Sequence, residues 1–138
     1  MQSILLISHG GMAAGVKDSL TMFFGTDLKQ FETLSLKSDM GADEFGEQLR
    51  EKVDELMTDD GVIIFADLLG GTPFNQAALL VSDKVDLIAG MNLPMIMELL
   101  ATREYSVNDI DHIAAVGQQG IVNTKVLLAA TEDTEDDD

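Results

Sequence analysis

Short apolar runs and helical periods alternate along the chain. Ile4-Leu5-Leu6-Ile7 is an unbroken apolar run, the pattern of a strand buried on both faces. After Gly10-Gly11, the residues Ala13, Val16, Leu20, Phe23 and Phe24 keep helical spacing, and Gly25 stops the helix. Phe31 to Leu36 alternates weakly and reads as a second strand. Phe45, Leu49, Val53 and Leu56 mark an amphipathic helix that ends before Asp59-Asp60-Gly61. Val62 to Ala66 is the clearest buried strand. Thr72-Pro73 then opens a helix, with threonine as the expected cap, proline in the first helical position, and Phe74, Ala77, Ala78 and Val81 as the buried stripe. Val85 to Ala89 reads as a fourth strand. Pro94 starts a helix towards Arg103, Val107 to Ala114 carries a fifth, and Val122 to Leu128 reads as a last strand.

Alternation of strand and helix predicts an α/β fold: a doubly wound, flavodoxin-like sheet with parallel order 2-1-3-4. The last strand is expected to lie antiparallel and to be exchanged between two copies, because an unpaired apolar edge is usually covered. In such sheets ligands sit at the carboxyl ends of the strands, where the strand order reverses. Here that point lies between the first and third strands. Ser8-His9-Gly10-Gly11 follows the first, and Asp67-Leu68-Leu69-Gly70-Gly71-Thr72-Pro73 follows the third.

Composition narrows the picture. With 138 residues, 46% of them hydrophobic, the chain suits one domain with a single core. We place that domain at residues 1–130, followed by an acidic tail, 131–138, expected to be disordered. The net charge is −17, and the six acids of the tail leave −11 on the body when removed. Backbone-tracking nucleic-acid binding needs a basic face and is not expected, whereas a partner with a positive docking face is. The absence of cysteine excludes disulfides, thiolate catalysis and sulfur-based zinc sites. No signal peptide is visible behind Met1-Gln2-Ser3, and no apolar run has the length of a membrane span, so a cytoplasmic protein is expected.

His9 stands where the first strand meets the expected crevice. A lone histidine at such a place is commonly a partly buried imidazole satisfied by the backbone. Two features favour chemistry instead. Gly10 and Gly11 leave open space and free amides beside the ring, and Asp67 ends the neighbouring strand. Its carboxylate could accept the Nδ1 proton and leave Nε2 as a nucleophile. Gly70-Gly71-Thr72 allows close backbone approach at a helix N-terminus, where free amides and the helix dipole favour an anion. Together the two loops describe a site that takes a phosphoryl group onto nitrogen and holds its oxygens. No metal site is expected, since no second His or Cys lies within ligand spacing of His9, and no cofactor is implied. Gly10 to Lys17 is a near miss to a Walker loop, with Val16 inserted before the lysine and Asp18 where Ser or Thr should follow. His112, beside Asp109 and Asp111, reads as a surface residue. The methionines read as core filler, with Met12 and Met91 near the crevice as the exceptions.

These residues resemble the mannose-type enzyme IIA components of the bacterial sugar phosphotransferase system. The likeness rests on Ser8-His9-Gly10, on Asp67-Leu68-Leu69-Gly70-Gly71-Thr72-Pro73-Phe74-Asn75, and on Ala89-Gly90-Met91-Asn92-Leu93-Pro94-Met95, and spans Met1 to about Leu128. The resemblance implies that His9 accepts a phosphoryl group from the phosphocarrier protein HPr and passes it to a IIB component, while the membrane IIC and IID components import the sugar. It also implies that Asp67 orients His9, that Gly71 and Thr72 hydrogen-bond the phosphate beside Gly10 and Gly70, that two copies form a homodimer, and that the chain is a stand-alone IIA subunit. Two other readings remain open: the phosphocarrier subunit of a dihydroxyacetone kinase, and a non-enzymatic module on the same fold that senses a small anion.

Overall fold

The computed structural model describes the backbone of residues 1–136 and the side chains of residues 1–131. Four strands, β1 (Ser3–His9), β2 (Phe31–Leu36), β3 (Val62–Ala66) and β4 (Val85–Ala89), form one parallel sheet in the order β2-β1-β3-β4. The helices between them are α1 (Met12–Phe24), α2 (Ala42–Leu56) and α3 (Gly71–Ala78), followed by α4 (Leu93–Thr102), α5 (Ile110–Gln119) and α6 (Thr124–Asp136). The predicted order is therefore present. Both faces of the sheet are covered, so the apolar run of β1 is fully buried from Ile4 to Ile7.

The pleat divides the core in two. Ile4 and Leu6 join Phe65, Ile96, Leu99 and Ile113 under α1, α4 and α5. Leu5 and Ile7 face the other way and pack with Phe45, Leu49 and Ile64 under α2 and α3. Because β1 pairs with β2 on one side and β3 on the other, the chain changes direction across the sheet at β1. The loops after β1 and β3 consequently flank one crevice.

A second fixture lies at the opposite end of the sheet. Arg103, 6% exposed, donates to the carbonyls of Gln2 (3.0 Å), Gln30 (3.2 Å) and Lys29. Burial lowers its pKa, and nearby Glu104 acts in the opposite direction. The cation ties the start of β1, the entry to β2 and the end of α4 together.

Several expectations are corrected. Val122 to Leu128 is not a strand: residues 121–123 are irregular and α6 begins at Thr124. Asn123 starts the helix, accepting from Lys125 N–H through Oδ1 (3.2 Å) and from Val126 and Leu127 N–H through its carbonyl (3.1 and 3.2 Å). Leu127, Leu128, Ala129 and Ala130 are good helix formers, so without a neighbouring strand the segment satisfies its backbone locally. Phe23 is exposed, and the buried face of α1 runs instead through Ala13 and Leu20, with Val16 and Phe24 half-buried. In α3 the buried residues are Pro73 and Ala77; Ala78 is exposed, and Val81, beyond the end of the helix at Ala78, is exposed as well. Met91 is in the core rather than at the crevice. Residues 137–138, the end of the expected acidic tail, lie outside the described residues.

Candidate functional site

The switch in strand order places His9 and Asp67 side by side. His9 is the last residue of β1 and pairs in register with Leu36, while Asp67 follows β3 directly. One carboxylate oxygen, Oδ2, accepts both the His9 backbone N–H (2.9 Å) and the ring Nδ1–H (2.8 Å). The other, Oδ1, accepts the N–H of Leu68 (3.0 Å). The Asp67 side chain is only 7% exposed, whereas the imidazole is 46% exposed. Burial pushes the Asp67 carboxyl up, but the hydrogen bonds from the His9 backbone and ring, the attraction of the ring in its protonated form and the Leu68 N–H outweigh it. The group is held below the usual carboxylate value.

This geometry decides the tautomer. An ionised carboxylate only accepts, so the shared proton sits on Nδ1 and the neutral ring keeps its lone pair on Nε2. Nε2 points towards the loop after β3. A Cβ added at Gly71 would stand 2.8 Å from His9 Cε1 and 3.0 Å from Nε2, and Gly71 has φ +82. Gly71 is thus required twice, by its backbone angle and by the ring beside it. Gly10 (φ +55) and Gly70 (φ +88) are required by angle alone, with nothing within 4 Å of an added Cβ.

Of the expected site residues, His9, Asp67 and Gly71 are brought together, and Gly10 and Gly70 sit in the turns beside them, but the Gly10 N–H, expected to be free, donates to the Leu36 carbonyl (2.9 Å). Thr72 differs from expectation. Gly70 occupies the cap position of α3, so Thr72 is the second and Pro73 the third helical residue. Among the described residues the Thr72 hydroxyl makes no hydrogen bond, and the expected cap is absent. Met12, at the start of α1, is exposed, as are Leu68 and Leu69 in the loop after Asp67. Lys17 is turned away, with Nζ donating to the Phe31 carbonyl (3.2 Å) over the Phe31 ring. His112 is a surface residue paired with Glu98 (3.1 Å). No cluster of three metal-ligating side chains occurs among the described residues.

Ser8 is the residue that sequence reasoning passed over. It is fully buried, donates to the Gly10 carbonyl (3.0 Å) and accepts from the Ala13 N–H (2.8 Å). Its signal was its place: a small polar residue at a buried strand position, immediately before two glycines and a helix whose cap position, Gly11, has no side chain.

A parallel sheet in the order β2-β1-β3-β4, whose first strand ends in a histidine held by an aspartate and facing a glycine loop at a helix N-terminus, defines a flavodoxin-like α/β protein with an oriented imidazole at its crevice. The chain matches the family EIIA-man, described as the PTS system fructose IIA component, over residues 3–116. It is 27% identical to the fructose-specific EIIA component of Bacillus subtilis (strain 168), with 100% of this chain and 99% of that protein covered. It is 28% identical to the mannose-specific EIIAB component of Escherichia coli (strain K12), covering 92% of this chain and 40% of that protein. The solved PTS IIA protein associated with the fucose utilization operon of Streptococcus pneumoniae superposes with a TM-score of 0.85 at 33% identity, covering 92% of this chain and 96% of that one. The chain belongs to the mannose-type enzyme IIA family of the sugar phosphotransferase system. No helix among the described residues is long and apolar enough to cross a membrane.

Proposed function

We propose that this chain is a cytoplasmic phosphocarrier, taking a phosphoryl group from phospho-HPr onto His9 Nε2 and passing it to a histidine of a IIB component. The observation that carries this is the 2.8 Å bond from Nδ1 to a carboxylate that is 7% exposed, beside a ring that is 46% exposed. The Nε2 lone pair attacks phosphorus, the phosphorus–nitrogen bond of the donor breaks, and the donor nitrogen keeps that electron pair. The Nδ1 proton stays on His9, where Asp67 faces the positive charge that develops. Transfer onwards repeats the exchange with IIB as acceptor. Free backbone amides at Gly70 and Gly71, with the Thr72 hydroxyl, are the groups we assign to the phosphoryl oxygens; the Gly10 N–H is taken by the Leu36 carbonyl (2.9 Å) and is not among them. The His9 imidazole stands 46% exposed, and such an open face suits a partner protein better than an enclosed small substrate.

The family implies a homodimer, and the exposed Val126, Leu127 and Leu128 of α6 support pairing through that helix. Incubation with HPr, its upstream kinase and phosphoenolpyruvate tests the proposal. One phosphoryl group per chain is expected, labile in acid and stable in base. His9→Ala abolishes it, and His112→Ala leaves it unchanged. Label on the His9→Ala protein would overturn the reading. Discharge by dihydroxyacetone kinase rather than by IIB would assign the chain to that system, and an unlabelled wild type would favour an anion sensor.

A further inference from the structure

We infer that Ser8 is a positioning residue for phosphoryl transfer, acting through the turn that carries His9; the inference rests on the phosphocarrier reading. The pleat of β1 sends consecutive side chains to opposite faces. His9 meets Gly71 on the α3 side, and Ser8 reaches under α1 to the Ala13 N–H. The Ser8 hydroxyl closes a ring around His9 by donating to the Gly10 carbonyl. The His9 backbone is thereby held at three places: its own N–H on Asp67, the Gly10 N–H on the Leu36 carbonyl (2.9 Å), and the Gly10 carbonyl on Ser8.

The rest of the turn is soft. Gly10 and Gly11 have no neighbour within 4 Å of an added Cβ, and Gly10 holds φ +55. Among the described residues no other side chain hydrogen-bonds to the backbone from Gly10 to Ala14. One hydroxyl therefore couples the strand that bears the nucleophile to the N-terminus of α1. Without it, the Ala13 N–H loses its buried partner and the Gly10 carbonyl is free to swing. The histidine would keep Asp67 but lose the fixed angle at which Nε2 meets an incoming phosphorus.

Steady-state phosphoryl flux from phospho-HPr through the full-length protein to an excess of a IIB component tests this. Ser8→Ala should lower kcat roughly tenfold or more and leave KM for phospho-HPr unchanged, because orientation is lost and docking is not. Ser8→Thr, which keeps the hydroxyl, should recover most of the rate. Nitrogen-15 spectra of the His9 ring should show a mixture of orientations or tautomers in Ser8→Ala where the wild type shows one. If Ser8→Ala does not fold, Ser8→Cys keeps the shape with a weaker donor and acceptor, and an intermediate kcat is expected. A purely structural serine would lower the thermal midpoint and leave kcat and the ring spectrum untouched, and that outcome overturns the inference. If the wild type itself takes no label, the phosphocarrier reading falls and this inference with it. If the wild type labels and Ser8→Ala labels equally fast, only the inference falls.

Discussion

Replacing Gly71 by alanine tests how closely the glycine loop is fitted to the imidazole. The new Cβ would stand 2.8 Å from His9 Cε1 and 3.0 Å from Nε2, where ordinary carbon contacts lie at about 3.5 Å or more. The ring must shift or turn by roughly 0.7 Å, which disturbs the 2.8 Å alignment of Nδ1 with Asp67. A hydrogen bond to a charged group contributes about 1.5–3 kcal/mol, so its loss from the transition state slows labelling roughly ten- to hundredfold. The methyl also sits directly on the approach to Nε2, so the larger figure is the better expectation. Alanine at φ +82 carries a separate backbone strain of about 1–3 kcal/mol. Gly25→Ala isolates that second effect: Gly25 has φ +83, nothing within 4 Å of an added Cβ, and a place at the far end of α1. Both variants should melt about 3–10 °C below the wild type. Only Gly71→Ala should lose labelling rate, measured with excess phospho-HPr. Equal rates for the two variants would refute the fitted-ring reasoning.

Asp67→Asn should be labelled slowly, since an amide cannot hold the Nδ1 proton and face the developing charge as a carboxylate does. Its stability should also respond differently to acid. The folded-state pKa of Asp67 is lowered, so the group contributes stability above the unfolded carboxylate value of about 4, and that contribution is lost as pH falls through the folded value. Melting curves of the wild type should show this acid limb and those of Asp67→Asn should lack it. Thr72→Ala should leave the melting temperature nearly unchanged, because its hydroxyl caps nothing, and should slow labelling if it holds phosphate; the reverse result would make it a structural residue. Arg103→Ala removes a donor from the buried Gln2 carbonyl and from the partly buried carbonyls of Gln30 and Lys29, of which Gln30 keeps the Ile4 N–H, and should cost about 1–3 kcal/mol in denaturant unfolding, without altering the labelling rate of the folded fraction. Removing residues 132–138 should leave association and labelling unchanged. Leu127→Glu with Leu128→Glu should shift sedimentation towards the monomer, and no shift would remove α6 from the interface.

Local pattern and composition were enough for the body of this protein. Ile4 to Ile7 and Val62 to Ala66 are apolar without interruption because both faces of their sheet are covered, and that burial is a property the run itself displays. Strand–helix alternation then left one economical topology, and topology located the crevice at the ends of β1 and β3. His9, Asp67 and Gly71 were legible for that reason: each lies within a residue or a short loop of a strand end. The segment from Val122 was misread because apolar content alone does not separate a strand from a helix. Its partner, or lack of one, decides, and Asn123 supplied a helix start that periodicity does not register. The direction of the His9 ring, the proton on Nδ1, the absence of a cap at Thr72 and the grip of Ser8 on Ala13 were decided only by the fold. Each depends on atoms far apart in the chain or on a backbone angle within a turn, and Nδ1 meets Asp67 across 58 residues of sequence. Residue spacing can bring two loops to one crevice, but the angle at which their atoms meet is set by the packed sheet beneath them.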